Sequence, residues 1–310
     1  MAIIELKPEK SDYKYLFSPY DTPMAHINPG DTVVFHTNDA ATGRIQTTED
    51  LPSIVMVGAP PNPLTGPVYI EGAKPGDALA VTIESIEATR DFAFSALLKY
   101  FGGLTSTALT ATLQEPLPEK VWIWKLVDEG KYLISDQMVR LPWDPFMGTF
   151  AVAPDQEVIS SMTPGPFGGN MDVPDVRPGN TIYLPVFTEG ALFYTGDCHA
   201  RQGQGELSGV ALEIPAKATL HFDLLKNKKI NWPRIESPDK IMVVGSARPM
   251  EDAARIAYAE LVRWLEEEYD FHRWDAYDLL SQAGGLYVGN MVDTNYSLVA
   301  SIKKDYLKRV

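Results

Sequence analysis

From the N-terminus to about residue 240, clusters of Pro, Gly, Asn and Asp cut the chain into short apolar runs. This punctuation limits the fold more than any other feature, because it is the pattern of antiparallel strands joined by turns. The spacing predicts strands over 32–37, 78–86, 120–126, 181–187, 191–195 and 209–214. Within them Val33, Phe35 and Thr37 alternate with Val34 and His36, and Val81, Ile83 and Ser85 alternate with Thr82, Glu84 and Ile86. Each such strand therefore offers one core face. Three strand-like runs follow similar tetrapeptides, Asn28-Pro29-Gly30-Asp31, Lys74-Pro75-Gly76-Asp77 and Arg177-Pro178-Gly179-Asn180. Proline second and glycine third suit a type II turn, since glycine takes a positive φ at little cost. The repeated turn hints at related β units.

The pattern changes after 227–240. A strand is expected over 241–244, then a helix from Pro249, whose first turn carries Glu251 and Asp252 where the helix dipole favours acid. Ala254, Ala257, Leu261, Trp264 and Leu265 recur at helical spacing and mark a buried stripe to about Glu268. A second helix is expected over 274–283, ended by Gly284-Gly285, with Trp264 and Trp274 both in the core. Residues 296–302 read as a returning strand or as more helix. The expected fold is thus mainly β, with sandwich- or barrel-like, mostly antiparallel units over 1–240 and a small α+β subdomain over 241–310.

The charge of −14, from 41 acidic and 27 basic residues, repels phosphate backbones, so no nucleic-acid partner is expected. No run approaches the ~18 apolar residues of a membrane span, and the N-terminal segment lacks the features of a secretory signal. These points suggest a cytoplasmic protein without a membrane partner. The single cysteine, Cys198, forms no disulfide within the chain and agrees with a reducing compartment.

Chemistry concentrates in residues 196–213, GDCHARQGQGELSGVALE, where an apolar strand runs into Asp, His, Arg, Gln and Glu before an apolar run resumes. With a two-residue period, Asp197, His199 and Arg201 project from one face and Cys198 and Ala200 from the other. Asp197 and His199 are then placed to share a cation, and mixed carboxylate and imidazole donors suit zinc or a similar divalent metal. The bland alternative is a hydrogen-bonded pair at a strand end. If Gly203-Gln204-Gly205 turns a hairpin, the returning strand brings Glu206 or Glu213 near that metal. Seven positions apart (206 to 213), they face opposite sides of a regular strand, so Glu213 is assigned as a ligand and Glu206 as general base, unless a bulge intervenes.

The same segment resembles the signature of the acetamidase/formamidase family, near G-D-x-H-A-x-Q-G-D-G-E followed by a strand ending in Glu. Further blocks agree in order: 163–172 with the family's G-G-N-M-D, Leu184-Pro185-Val186 with Gly190-Ala191-Leu192, 62–73 followed by Pro75-Gly76-Asp77, and Pro29-Gly30-Asp31 with Thr37-Asn38-Asp39-Ala40. The likeness spans about residues 28–215. It implies a hydrolase of small linear amides of the formamide and acetamide kind, acting on a small-molecule substrate through a metal-activated water; a homo-oligomer is expected, with the helical C-terminal unit as its interface. It further implies Asp39, Asp197 and His199 as metal ligands, with Glu213 beside them and Asn170 and Asp172 lining the pocket. A second cation such as calcium is compatible with it. In this chain Gln204 replaces a common Asp and Phe167 a frequent polar residue, which marks Phe167, Gln204 and Asp172 as expected substrate contacts. Asn170 and Gln202 are the expected donors to the substrate oxygen. Two other readings remain open here: an amidase with Cys198 as nucleophile, which needs an irregular backbone to reach His199, and a non-catalytic calcium-holding β module.

Overall fold

The structure is a computed structural model that describes residues 2–105 and 115–308. It is mainly β. A nine-stranded sheet runs in the order Ile3–Leu6, Thr32–Thr37, Ala216–Leu225, Ala78–Ala88, Thr181–Pro185, Arg234–Glu236, Lys240–Ala247, Tyr296–Lys303 and Gly285–Asn290. Only its first pair is parallel. A five-stranded sheet holds Gly168–Asn170, Phe146–Val152, Phe193–His199, Leu64–Ile70 and Ala25–Ile27, and a four-stranded one holds Arg140–Pro142, Tyr132–Ser135, Lys120–Val127 and Phe92–Leu97.

The three Pro-Gly turns start strands of the nine-stranded sheet. Asp31, Asp77 and Asn180 each donate N–H to the carbonyl three residues back, and Gly30, Gly76 and Gly179 have φ of 93°, 94° and 88°. Along Thr32–Thr37 the expected alternation is present, with Val33, Phe35 and Thr37 buried. Phe193–His199 and Phe146–Val152 are instead buried at every position, because the five-stranded sheet packs on the nine-stranded one. Phe193 joins the two: its ring lies 4.8 Å from Phe150, 5.7 Å from Phe35 and 5.1 Å from Phe222, all edge-on.

The helices Met250–Tyr269 and Arg273–Ala283 cover one end of the large sheet. Ala257, Leu261, Trp264 and Leu265 pack on Ile241, Val243, Ala300 and Ile302. Residues 296–302 form a strand, and the C-terminal segment continues the nine-stranded sheet across the boundary expected at 240. Trp274 is not in the core. It is 66% exposed, because the second helix docks through Ala276 and Leu280. Among the described residues no helix is long and apolar enough to cross a membrane.

Candidate active site

The strand Phe193–His199 ends in the polar segment, and its regularity breaks at Asp197, which takes a left-handed φ of 54°. Gly148 on the neighbouring strand makes room for this. A Cβ there would stand 2.6 Å from Asp172 Oδ1 and 2.7 Å from Asp197 Oδ2. His199 Nε2 lies 3.3 Å from Asp197 Oδ2, 3.4 Å from Glu213 Oε1 and 4.0 Å from Asp172 Oδ1. All four side chains are buried. Asp172 Oδ1, Asp197 Oδ1, His199 Nε2 and Glu213 Oε2 have no hydrogen-bond partner.

The expected hairpin is absent. Residues 209–214 are not a strand; the chain leaves His199 in a wide loop whose Gly205 bridges Asn290, and Glu213 returns to bridge both His199 and Phe94. Glu206 (φ 49°) folds inward in this loop. The parity argument that separated Glu206 from Glu213 therefore fails: potential ligand atoms of His199, Glu206 and Glu213 lie within 4.8 Å of one another, as do those of Asp172, Asp197 and His199. Burial, and then neighbouring carboxylates, push Asp172, Glu206 and Glu213 well above the usual carboxylate range.

The tautomer of His199 follows from its neighbour. Gln202 Nε2 donates to the carbonyls of Asp172 and Gly289, both at 2.9 Å, so Gln202 Oε1 faces His199 Nδ1 at 2.9 Å and accepts its proton. Nε2 then faces the carboxylates. Both ends of the Gln202 amide are thus engaged within the protein, which leaves no donor for a substrate oxygen. Asn170 is equally committed: Oδ1 accepts from Asn62 Nδ2 and Thr149 Oγ1, and Nδ2 donates to Asp172 Oδ2 and Asp293 Oδ2.

Asp39 is buried but is not in the cluster. Its Oδ1 accepts from the N–H groups of Ala41 and Gly43, and its Oδ2 meets Arg90 Nη1 at 2.7 Å. Arg90 in turn donates to the Glu213 carbonyl, so the pair braces the loop that carries Glu213. Phe167 sits in the main core, 5.3 Å from Phe17. Gln204 is exposed and lines a cleft with Gln202 and Glu206. Cys198 turns into the apolar core, where burial pushes its thiol well above the ordinary value. A thiolate nucleophile is disfavoured there.

Sequence reading missed Asn290 and Asp293. Asn290 Nδ2 donates to Asp172 Oδ2 at 2.5 Å and to Asp293 Oδ2 at 2.6 Å. Two carboxylates, Asp172 and Asp293, are therefore held by the amides of Asn170 and Asn290. A signal was present: Gly289-Asn290-Met291-Val292-Asp293 echoes Gly169-Asn170-Met171-Asp172.

The model of the Acetamidase/Formamidase family matches residues 16–165 and 160–297. The crystal structure of an acetamidase from Yersinia enterocolitica is similar at a TM-score of 0.95 and 44% identity, covering 99% of this chain and 93% of that one. One from Bacillus halodurans gives 0.88 and 30%, covering 98% of each. The acetamidase of Mycolicibacterium smegmatis is 25% identical over 74% of this chain and 70% of its own length.

Proposed function

The chain belongs to the acetamidase/formamidase family, and we propose from this that it hydrolyses small linear amides to a carboxylic acid and ammonia at the cluster around His199. The observation that carries the reading is the set of four buried, unpartnered atoms on Asp172, Asp197, His199 and Glu213. Burying several carboxylates without a countercharge is costly, and a divalent cation removes that cost. One imidazole with carboxylates suits zinc. Asp197, His199 and Glu213 would hold it, with Asp172 taking the place expected for Asp39, whose oxygens are occupied. When bound, such an ion supplies a Lewis acid that polarises an amide carbonyl and makes water a better acid near neutral pH.

The chain's own residues have separate tasks. Gln202 holds the Nδ1 proton of His199 and so turns Nε2 toward the carboxylates. Glu206 belongs both to the cluster and to the lining of the open cleft. It is the group placed to take a proton from water and deliver it to the departing nitrogen, which cannot leave as an amide anion. Asn170 and Asn290 hold Asp172 and Asp293 in place. The substrate in this reading is a small molecule and the enzyme is a cytoplasmic homo-oligomer.

His199→Ala tests the centre of the proposal. The folded variant should lose stoichiometric metal, measured by elemental analysis, together with ammonia release from an amide panel. Retention of both by a folded variant would remove it.

A further inference from the structure

A cleft of about 690 Å³ opens beside the carboxylate cluster, and Gln202 and Glu206 line it. Most of the remaining wall is apolar, interrupted by Ser95, Arg201, Gln204 and Ser208. Leu97, Leu117, Leu141, Leu207, Val210 and Leu212 contribute to it, and among the described lining residues Arg201 and Glu206 are the only charged side chains. A cavity of about 300–1,000 Å³ encloses a drug-sized ligand. Formamide has no carbon beyond its carbonyl and acetamide has one, so neither spans this wall. With either bound, the leucines stay in contact with water and their burial contributes nothing to catalysis.

We propose that the preferred substrates are primary amides with an apolar acyl group longer than methyl, of the size of hexanoyl or phenylacetyl, seated in this cleft with the carboxamide at Glu206, where the cleft meets the His199 cluster. The inference rests on the amide-hydrolase reading above and narrows its substrate class. An acyl chain fits the branched aliphatic side chains that make up most of this wall, whereas a sugar-like group would lose hydration against the leucines. The sequence marks the position too. Leu207 directly follows Glu206, so the residue placed for proton transfer and a residue of the apolar wall share one loop.

The test is kcat/KM of the protein as purified for formamide, acetamide, butanamide, hexanamide and phenylacetamide. Each methylene added from acetamide to hexanamide should raise kcat/KM about fourfold (about 0.8 kcal/mol), or about two hundredfold over the series. A flat or falling series in which acetamide is turned over well overturns the acyl inference and leaves amide hydrolysis standing. No turnover of any amide overturns both. Leu207→Asn, at a side chain already 51% exposed, should lower the hexanamide-to-acetamide ratio about tenfold. The ratio cancels any loss of folded protein, and an unchanged ratio rules out the cleft as the acyl site.

Discussion

At the scale of single residues, the site depends on how neutral amides are spent. Read from sequence, Gln202 and Asn170 are donors for a substrate oxygen. In the fold each is saturated, and Gln202 instead decides which nitrogen of His199 faces the carboxylates. Removing such a supporting partner from a metal-binding histidine typically costs about 10–100-fold in metal affinity. If His199 holds the proposed metal, Gln202→Leu should weaken its binding by that order in competition with a chelator. Unchanged affinity would mean that His199 keeps its tautomer without help. The neighbouring residue carries a further lesson. Cys198 lies next to His199 in sequence, yet its side chain enters the apolar core, where the thiolate form is disfavoured.

At the scale of elements, strands that begin after Pro-Gly turns were legible because the turn chemistry is local. Thr32–Thr37 and Ala78–Ala88 begin where the turns predict. The 209–214 segment was not legible, because its apolar residues are buried in a loop with no ladder of its own. The helix Met250–Tyr269 shows the other side of local reading. Its stripe was visible, but the buried Glu260 within it answers to a distant partner. Burial pushes the Glu260 carboxyl up, while Arg234 and Asn231 hold it below its usual range. Arg234 and Glu260 meet at 2.8 Å with side chains 2% and 0% exposed. Arg234→Ala leaves the buried Glu260 without its buried cation and should cost about 3–5 kcal/mol in urea unfolding. Arg263, 49% exposed and 3.1 Å from the same carboxyl, should cost under about 1 kcal/mol as Arg263→Ala. Equal effects would contradict the role given to burial.

At the scale of the whole molecule, several of the 41 acids that enter the formal charge of −14 sit in the interior. Burial and the Asp197 charge push Asp293 up to about 7, and Asp172, Glu206 and Glu213 are raised as well. Between the ordinary carboxylate range and about pH 7, the metal-free folded state then binds more protons than the unfolded chain, so its stability falls as pH rises through that window. Chelator-stripped protein should melt a few degrees higher at pH 5.5 than at pH 7.5, and zinc should raise the pH 7.5 value. An equal or lower melting temperature at pH 5.5 would count against buried protonated carboxyls. Turn chemistry, alternating burial and the 196–213 motif were set by the sequence itself, because each depends on neighbours a few positions away. Only the tertiary structure decided that Glu206 and Glu213 meet at His199, that Asp39 turns to Arg90, and that Asn290 and Asp293 close the site from the far end of the chain. Those outcomes depend on which distant segments share one buried volume, where every polar atom needs a partner and where strand parity no longer governs once the backbone leaves the strand.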